Sequence, residues 1–301
     1  MSFQIDNLRL RARIIRALRS FFESRGFLEV ETPQRIPANA PEEHIEPIRS
    51  ADMYLHTSPE ICMKRLLCRG HDKIFQICRC WRSGERGSRH LPEFTMLEWY
   101  RANSDYADLM RDCEELFRYV SETLIDSITI SYNTTSIPCD EIFTRISVRD
   151  AFREWSDVSM EDAVRDGSFD EIMVTRIEPA LEQTKPVLLV DYPIEMAALA
   201  RPKPEDASVA ERFELYAGGL ELANGFSELN DPAEQRSRFQ EANRKRVDNG
   251  YPELPIPEPF LEELANMPPS AGIALGVDRL VMLFAGATRI DDVIAFTPES
   301  L

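Results

Sequence analysis

Glu214, Glu221 and Glu228 recur every seven residues in RFELYAGGLELANGFSELN (residues 212–230), with Asn224 between the last two. Carboxylates gathered on one face suit a hard cation such as Mg²⁺, or an ammonium group. On a regular strand, positions seven apart point to opposite faces, so that chemistry needs a bulge to realign them. Asn224-Gly225 is the expected place, because a glycine inside a strand marks a bulge or a close backbone approach. The plain alternative is a solvated sheet face, with Glu outward and Leu, Phe and Tyr inward.

Two further segments carry complementary charge. In CRCWRSGERGSRHLPEF (78–94), Arg82 leaves a strand for a glycine-bearing basic loop, and Phe94 lies on the returning strand. A guanidinium for phosphate and an aromatic face for a base make a nucleotide site plausible. In AGIALGVDRL (271–280), Gly276 opens a helix and Arg279 sits in its first turn. Free N–H groups, the helix dipole and a guanidinium then converge on one spot, as phosphate requires. With Glu214 and Glu221 for Mg²⁺, the set describes an ATP site with metal-bridged phosphates. Glu60, Glu98 and Glu228, with Tyr100 and Asn224, suit a small substrate bearing ammonium groups.

The elements that must position these groups are legible from periodicity. Apolar residues at helical spacing predict a helix over 7–25, with Gly26 as its C′ residue. FLEVETP (27–33) reads as a short strand closed by Pro33, and residues 37–50 read as loop. MYLHT predicts a strand feeding the helix SPEICMKRLL, for which Ser58 is the expected cap and Glu60 complements the dipole. KIFQICRCW (73–81) and EFTMLEWY (93–100) form a hairpin with a long basic connection, and a helix follows over roughly 105–124. Residues 125–185 carry the weakest periodicity. PVLLVDYP (186–193) is a buried strand, and Gly218-Gly219 turns the next hairpin. A polar helix is expected near 231–248, a connector over 252–259, and a strand, glycine turn and buried helix at the end. Hairpins flanked by helices point to a mixed or antiparallel sheet, not to alternating βαβ units.

The 301 residues, 43% of them hydrophobic, suffice for one large α+β domain or two small ones. No apolar run reaches the ~18 residues of a membrane span, and the N-terminus lacks the pattern of a signal peptide. Cys62, Cys68, Cys78, Cys80, Cys113 and Cys139 show no CxxC pair and are expected as reduced thiols of a cytoplasmic protein. Cys78 and Cys80 with His71 or His90 lack tetrahedral ligand spacing, so no metal is expected there. The net charge of −17 opposes broad contact with a polyanionic nucleic acid.

GFLEVETP, FQICRCWRSGERGSRHLPEFTMLEWY, ELANGFSELND and GIALGVDRLVM resemble, in order and spacing, motifs 1, 2 and 3 of the class II aminoacyl-tRNA synthetases, closest to the lysyl type. Within them, TSPE..MKRLL, PEFTMLEWY and ALGVDRLVM resemble the short lysyl-synthetase paralogues that modify elongation factor P. The likeness covers nearly the whole chain. It implies an α+β fold, a class II synthetase-like antiparallel sheet flanked by helices, as one catalytic domain over residues 1–301. A lysyl-tRNA synthetase carries an N-terminal anticodon-binding OB-fold. Here motif 1 starts at residue 26, too early for such a barrel.

The resemblance also implies roles. Glu214 and Glu221 would hold Mg²⁺ with the phosphates of ATP. Arg82 would grip the α-phosphate and Arg279 the γ-phosphate as the catalytic pair, over an adenine stacked on Phe94. Gly84, Glu85, His90, Leu91, Leu222 and Gly276 would complete the ATP site. Asn224 would take the amino-acid carboxylate, Glu228 and Tyr100 the ε-ammonium of lysine, and Glu60 with Ser58 and Glu98 the other amino group. The activity implied is a ligase that forms a lysyl or (R)-β-lysyl adenylate from ATP and transfers it to a lysine of elongation factor P. The partners implied are that factor, lysine or (R)-β-lysine and a second subunit joined through motif 1, with neither tRNA nor membrane. Arg86 and Arg89 are the expected basic rim for the acceptor.

Three places depart from the pattern. Gly84 stands where the family has a Glu that meets the adenine edge, with Glu85 as its possible substitute. Leu91 replaces the Asn of His-Asn-Pro-Glu-Phe, and Ala274-Leu275 matches the paralogue, not the true synthetases. Two other classes therefore stay open at this point: a reduced synthetase charging tRNA or another acceptor, and a non-catalytic binding module.

Overall fold

The computed structural model describes residues 2–125, 127–181 and 185–301. Helix α1 (Ser2–Ser24) buries Ile14, Leu18, Phe21 and Phe22 completely. It ends as the sequence requires: Gly26 adopts φ 75°, its N–H bonds the Glu23 carbonyl, and the Phe27 N–H bonds that of Phe22. Phe22 and Phe27 rings then meet at 5.1 Å, the apolar contact that accompanies this motif.

The chain next lays down β1 (Leu28–Glu29), helix α2 (Glu60–Cys68), β2 (Lys73–Trp81), β3 (Glu93–Ala102) and helix α3 (Tyr106–Ile125). It continues with β4 (Thr144–Ser147), β5 (Val187–Pro193), β6 (Pro202–Lys203), β7 (Asp206–Ala217) and β8 (Leu220–Ser227). Helices α4 (Pro232–Asp248) and α5 (Glu258–Leu264), strand β9 (Ser270–Gly276) and helix α6 (Val277–Ala285) complete it. The nine strands form one sheet in the order β1-β2-β3-β9-β8-β7-β5-β4, with β6 beside β7. Only β1–β2 and β4–β5 run parallel. The antiparallel-dominated α+β sheet expected from the hairpins is the one observed. Among the described residues no helix is long and apolar enough to cross a membrane.

Strand β3 shows why the sheet has two different faces. Leu97 and Trp99 point into the core with α1, α3 and α6, whereas Phe94, Met96, Glu98 and Tyr100 point to the opposite side. The helix α6 start is tied to the same strand. Asp278 accepts from the Thr95 N–H at 2.6 Å and from Arg11 of α1 at 2.5 Å.

The β7–β8 hairpin turns at Gly218 and Gly219, both with positive φ, as two glycines allow. Its bulge is not at Gly225. Leu215 pairs with Ala223 but Tyr216 with Glu221, so Leu222 is the extra residue. Leu222 and Ala223 both turn to the core, and Glu221 and Asn224 share the other face although three residues apart. Gly225 has the second meaning of a strand glycine: a Cβ there would lie 2.8 Å from the Phe213 ring and 3.0 Å from Ile273 Cβ.

The weakly periodic segment 125–185, of which 126 and 182–184 lie outside the described residues, holds a hairpin (Thr129–Tyr132, Thr135–Pro138), β4 and short helices. These helices pack Val148, Phe152, Phe169 and Ile177 onto Leu189 as a separate apolar cluster.

Candidate active site

The sheet face opposite α1 and α3 borders a cavity of about 330 Å³. One end of it is acidic. Helix α2 presents Glu60 in its first turn and Lys64 one turn later, and Lys64 is fully buried. The Lys64 ammonium lies 2.5 Å from Glu60 Oε1 and also against Glu228 Oε2. The second oxygen of Glu228 has no hydrogen-bond partner among the described residues, although it is buried. Ser58 is not the capping residue, whose position Pro59 occupies. Its hydroxyl instead accepts from the Glu60 N–H at 3.0 Å and donates to Glu98 Oε1 at 2.5 Å. The Tyr100 hydroxyl donates to the other Glu98 oxygen at 2.7 Å.

Glu60 and Glu228 thus face one ammonium, and Glu98 adjoins Glu60 in the same desolvated space. Burial, then the charge of Glu60, pushes the Glu98 carboxyl up to about 8, against the pull of the two hydroxyls. Burial likewise raises Glu228 to about 8, although Lys64 pulls it down. Burial would depress Lys64, but the Glu228 and Glu60 charges outweigh it and hold its pKa above the usual value. Glu42, which sequence reasoning missed, borders the same cavity, and burial raises it to about 7 against the nearby Arg82. An unpartnered buried oxygen and carboxyls held high are the signature of a site built for added cationic groups. Gly272 completes it, since a Cβ there would collide with the Tyr100 ring and Glu228 Oε1.

The other end is basic. Arg279 donates to the Glu221 carbonyl at 2.7 Å, to its carboxylate at 3.2 Å and to His90 Nε2 at 2.6 Å. An arginine only donates, so this nitrogen carries a lone pair and the imidazole is neutral. Desolvation and the Arg279 charge hold the His90 pKa below its usual value accordingly. The Arg82 guanidinium lies 5.2 Å from the Phe94 ring centre and 3.8 Å from Glu85. Gly84 takes φ 78° with open space around it, while Glu85 borders the cavity in its stead. Leu91 and Leu222 border the cavity while their side chains join the core, and Gly276 caps α6 beside Arg279.

Between the ends, Arg212 is pinned by the Met196 carbonyl at 2.6 Å, Glu214 at 2.6 Å and Asn224 Oδ1 at 3.2 Å. Its guanidinium also lies 4.3 Å from the Tyr192 ring centre. Because Arg212 takes the Asn224 acceptor, the amide N–H groups of Asn224 are the ones left for a ligand. Glu221 stands opposite Tyr216 in register, two residues along from Glu214. Glu214 pairs in register with Asn224 and accepts from Tyr216 at 2.7 Å, and its charge and that of Glu221 act on the same neighbours, Arg212 and Tyr216. Burial and the charges of Glu214 and Glu221 raise the nearby Glu178, so three carboxylates gather here. Carboxylate oxygens are the ligands Mg²⁺ takes, but among the described residues the donor atoms of these three do not all lie within 4.8 Å of one another.

The structure therefore brings together Ser58, Glu60, Glu98, Tyr100, Asn224 and Glu228 at one end, and Arg82, Glu85, His90, Phe94, Glu221 and Arg279 at the other. Two further expectations need correction. Arg86 is not an open rim charge, because it pairs with Asp291 at 3.0 Å and Glu299 at 2.8 Å. The histidine that reaches Cys78 and Cys80 is His56, not His71 or His90. Arg212, Glu178, Lys64 and Asp278 went unassigned from sequence, Glu178 and Asp278 because the groups they meet lie far along the chain. For Lys64 a signal existed, in its spacing of four from Glu60 on α2.

A sequence model of the tRNA synthetases class II (D, K and N) matches residues 3–300. The chain is 43% identical to a protein of Erwinia tasmaniensis named elongation factor P--(R)-beta-lysine ligase, over 99% of this chain and 97% of that protein. Proteins of the same name from Edwardsiella ictaluri and Salmonella arizonae are each 41% identical, with the same coverage of both chains.

Proposed function

The chain belongs to the class II tRNA synthetases (D, K and N), and on that premise we propose that it is the ligase that activates lysine or (R)-β-lysine with ATP and attaches it to elongation factor P. The observation that carries the reading is the cavity with two unlike ends, buried carboxylates at one and Arg82 with Arg279 at the other. A diammonium amino acid and a polyphosphate fit those ends in one orientation only. Full-length identity to the relatives of that name, at 43% and 41%, supports the acceptor.

In the first half-reaction a carboxylate oxygen of the amino acid attacks the α-phosphorus, the bond to the β-phosphate breaks and pyrophosphate leaves. Glu228 with Tyr100 holds one ammonium and Glu60 with Glu98 the other, while Asn224 donates to the carboxylate. Arg82 countercharges the α-phosphate and Arg279 the γ-phosphate, with His90 holding the Arg279 guanidinium in place. Adenine stacks on Phe94, and Glu85 takes the role of the acidic group absent at Gly84. Glu221 and Glu214 would hold Mg²⁺, whose charge would offset that developing on the phosphates. In the second half-reaction the acceptor amine attacks the acyl carbon and loses a proton, and AMP leaves. The chain supplies position and countercharge, and no covalent nucleophile is required.

The catalytic unit is one domain over 1–301, a homodimer acting in the cytoplasm without tRNA. Leu28, 52% exposed on edge strand β1 of motif 1, is the apolar residue a second subunit would cover. Incubation with ATP, labelled lysine or (R)-β-lysine, and either elongation factor P or total tRNA tests the acceptor. Label is expected on the factor. Label on tRNA alone would overturn this reading.

A further inference from the structure

Strand β2 carries a cluster that the ligase reaction does not use. Cys78 and Cys80 are two residues apart, so both thiols leave the same face of the strand. His56 reaches them from the segment before α2, and all three residues are buried. Their donor atoms form a near-regular triangle. The two Sγ atoms are 4.0 Å apart, and His56 Nε2 lies 3.8 Å from Cys78 Sγ and 3.9 Å from Cys80 Sγ.

A tetrahedral ion that binds sulfur at about 2.3 Å and nitrogen at about 2.0 Å sets S–S edges of about 3.8 Å and S–N edges of about 3.6 Å. The observed triangle is one face of such a coordination sphere, opened by only a few tenths of an ångström. Its surroundings are soft as well. Met96 stands opposite Cys78 in register and packs with both cysteines, so a thioether adjoins the two thiols. Thiolate, thioether and imidazole select Zn²⁺ or Cu⁺ over the hard ions that suit the carboxylate groups of the cavity.

We propose that His56, Cys78 and Cys80 bind one soft d¹⁰ cation, Zn²⁺ or Cu⁺, at a site distinct from the ligase cavity. Loading releases the thiol protons, and His56, whose Nε2–H donates to the Arg79 carbonyl at 2.6 Å, moves that proton to Nδ1 so that the Nε2 lone pair takes the ion. The position gives occupancy a consequence. Phe94 and Ala274 pack against the same cysteines, and Arg82 follows Cys80 by two residues, so an ion here braces the strand end that carries the phosphate ligand.

The test uses the full chain, stripped with a chelator and then given Zn²⁺ alone, or Cu⁺ alone under anaerobic conditions against a competing chelator. Metal is counted after gel filtration, and Co²⁺ serves as a probe of sulfur-to-metal charge transfer. The expected result is about one equivalent retained, with affinity falling about tenfold or more in Cys80→Ser and in His56→Ala, but unchanged in Cys62→Ser. Circular dichroism checks that the variants fold. Should they not, protection of two thiols from alkylation by bound metal in the unaltered chain gives the same answer. The arm with tighter retention identifies the ion. Retention of neither ion, or retention indifferent to Cys80→Ser with no thiol protection, overturns the site.

Discussion

Affinity for lysine should fall steeply as pH drops from 8 to 6, although the ligand's side-chain ammonium stays charged throughout that range. Burial raises Glu98 and Glu228 to about 8 each, so both carboxyls are largely protonated at pH 6 in the free protein. An ammonium binds the ionised form, and ligation must therefore expel those protons. One group at about 8 weakens apparent affinity by 1 + 10^(8−pH), a change of about 50-fold between pH 8 and pH 6, and two independent groups give about 2,500-fold. Lys64 faces Glu228, the Ser58 and Tyr100 hydroxyls donate to Glu98, and the Glu60 charge acts on both carboxyls, while Lys64 stays charged across the window. The sign for folding follows from the same shifts. A carboxyl raised from 4.5 to about 8 contributes stability below 4.5 that is lost as pH climbs to 8, so the ligand-free melting temperature falls over that interval and lysine reverses the fall. Titration calorimetry at pH 6, 7 and 8, in two buffers of different ionisation heat, measures affinity and proton release together. Affinity constant within about threefold, with no proton exchanged, would refute the desolvated-carboxylate account.

Other outcomes follow from single contacts. Gly272→Ala forces a methyl into the Tyr100 ring and Glu228, an overpacking cost of about 1–3 kcal/mol. It should raise KM for lysine about 10–100-fold while leaving KM for ATP nearly unchanged in steady-state assays. Lys64→Met leaves the buried Glu228 without its countercharge once that carboxyl ionises, so denaturant unfolding at pH 9, above its pKa of about 8, should show a loss of about 3–5 kcal/mol, partly restored by lysine. Charge reversal at Arg89, exposed beside the cavity, should slow transfer to elongation factor P more than adenylate formation, because rim charges set encounter rate. Equal slowing of both steps would count against Arg89 as part of the acceptor rim.

Much of this site could be read from spacing alone, and what could not has a common cause. Strand β3 announced itself by alternation, and its Phe94, Glu98 and Tyr100 fell on the cavity face for that reason. The β7–β8 hairpin was legible in Gly218-Gly219, but its bulge was not. Leu222 lies in an apolar stretch with no local mark, whereas Asn224-Gly225 bears one and serves close packing instead. Groups joined across long stretches of chain left no trace in sequence. Arg11 meets Asp278, and Arg86 meets Glu299, through contacts that exist only once the sheet and its helices are assembled. His56 was passed over for the same reason, since its approach to Cys78 and Cys80 depends on where α2 starts.

The most direct measurement is ATP–pyrophosphate exchange dependent on added amino acid, run with lysine, (R)-β-lysine and shorter diamines' amino acids such as ornithine, on the unaltered chain and on Glu221→Gln and Glu228→Ala. The account predicts exchange with a lysine isomer, its loss in Glu221→Gln, and in Glu228→Ala a steep rise in KM with discrimination against ornithine gone. Exchange that is absent with both lysine isomers, or that proceeds unchanged in both variants, would contradict it.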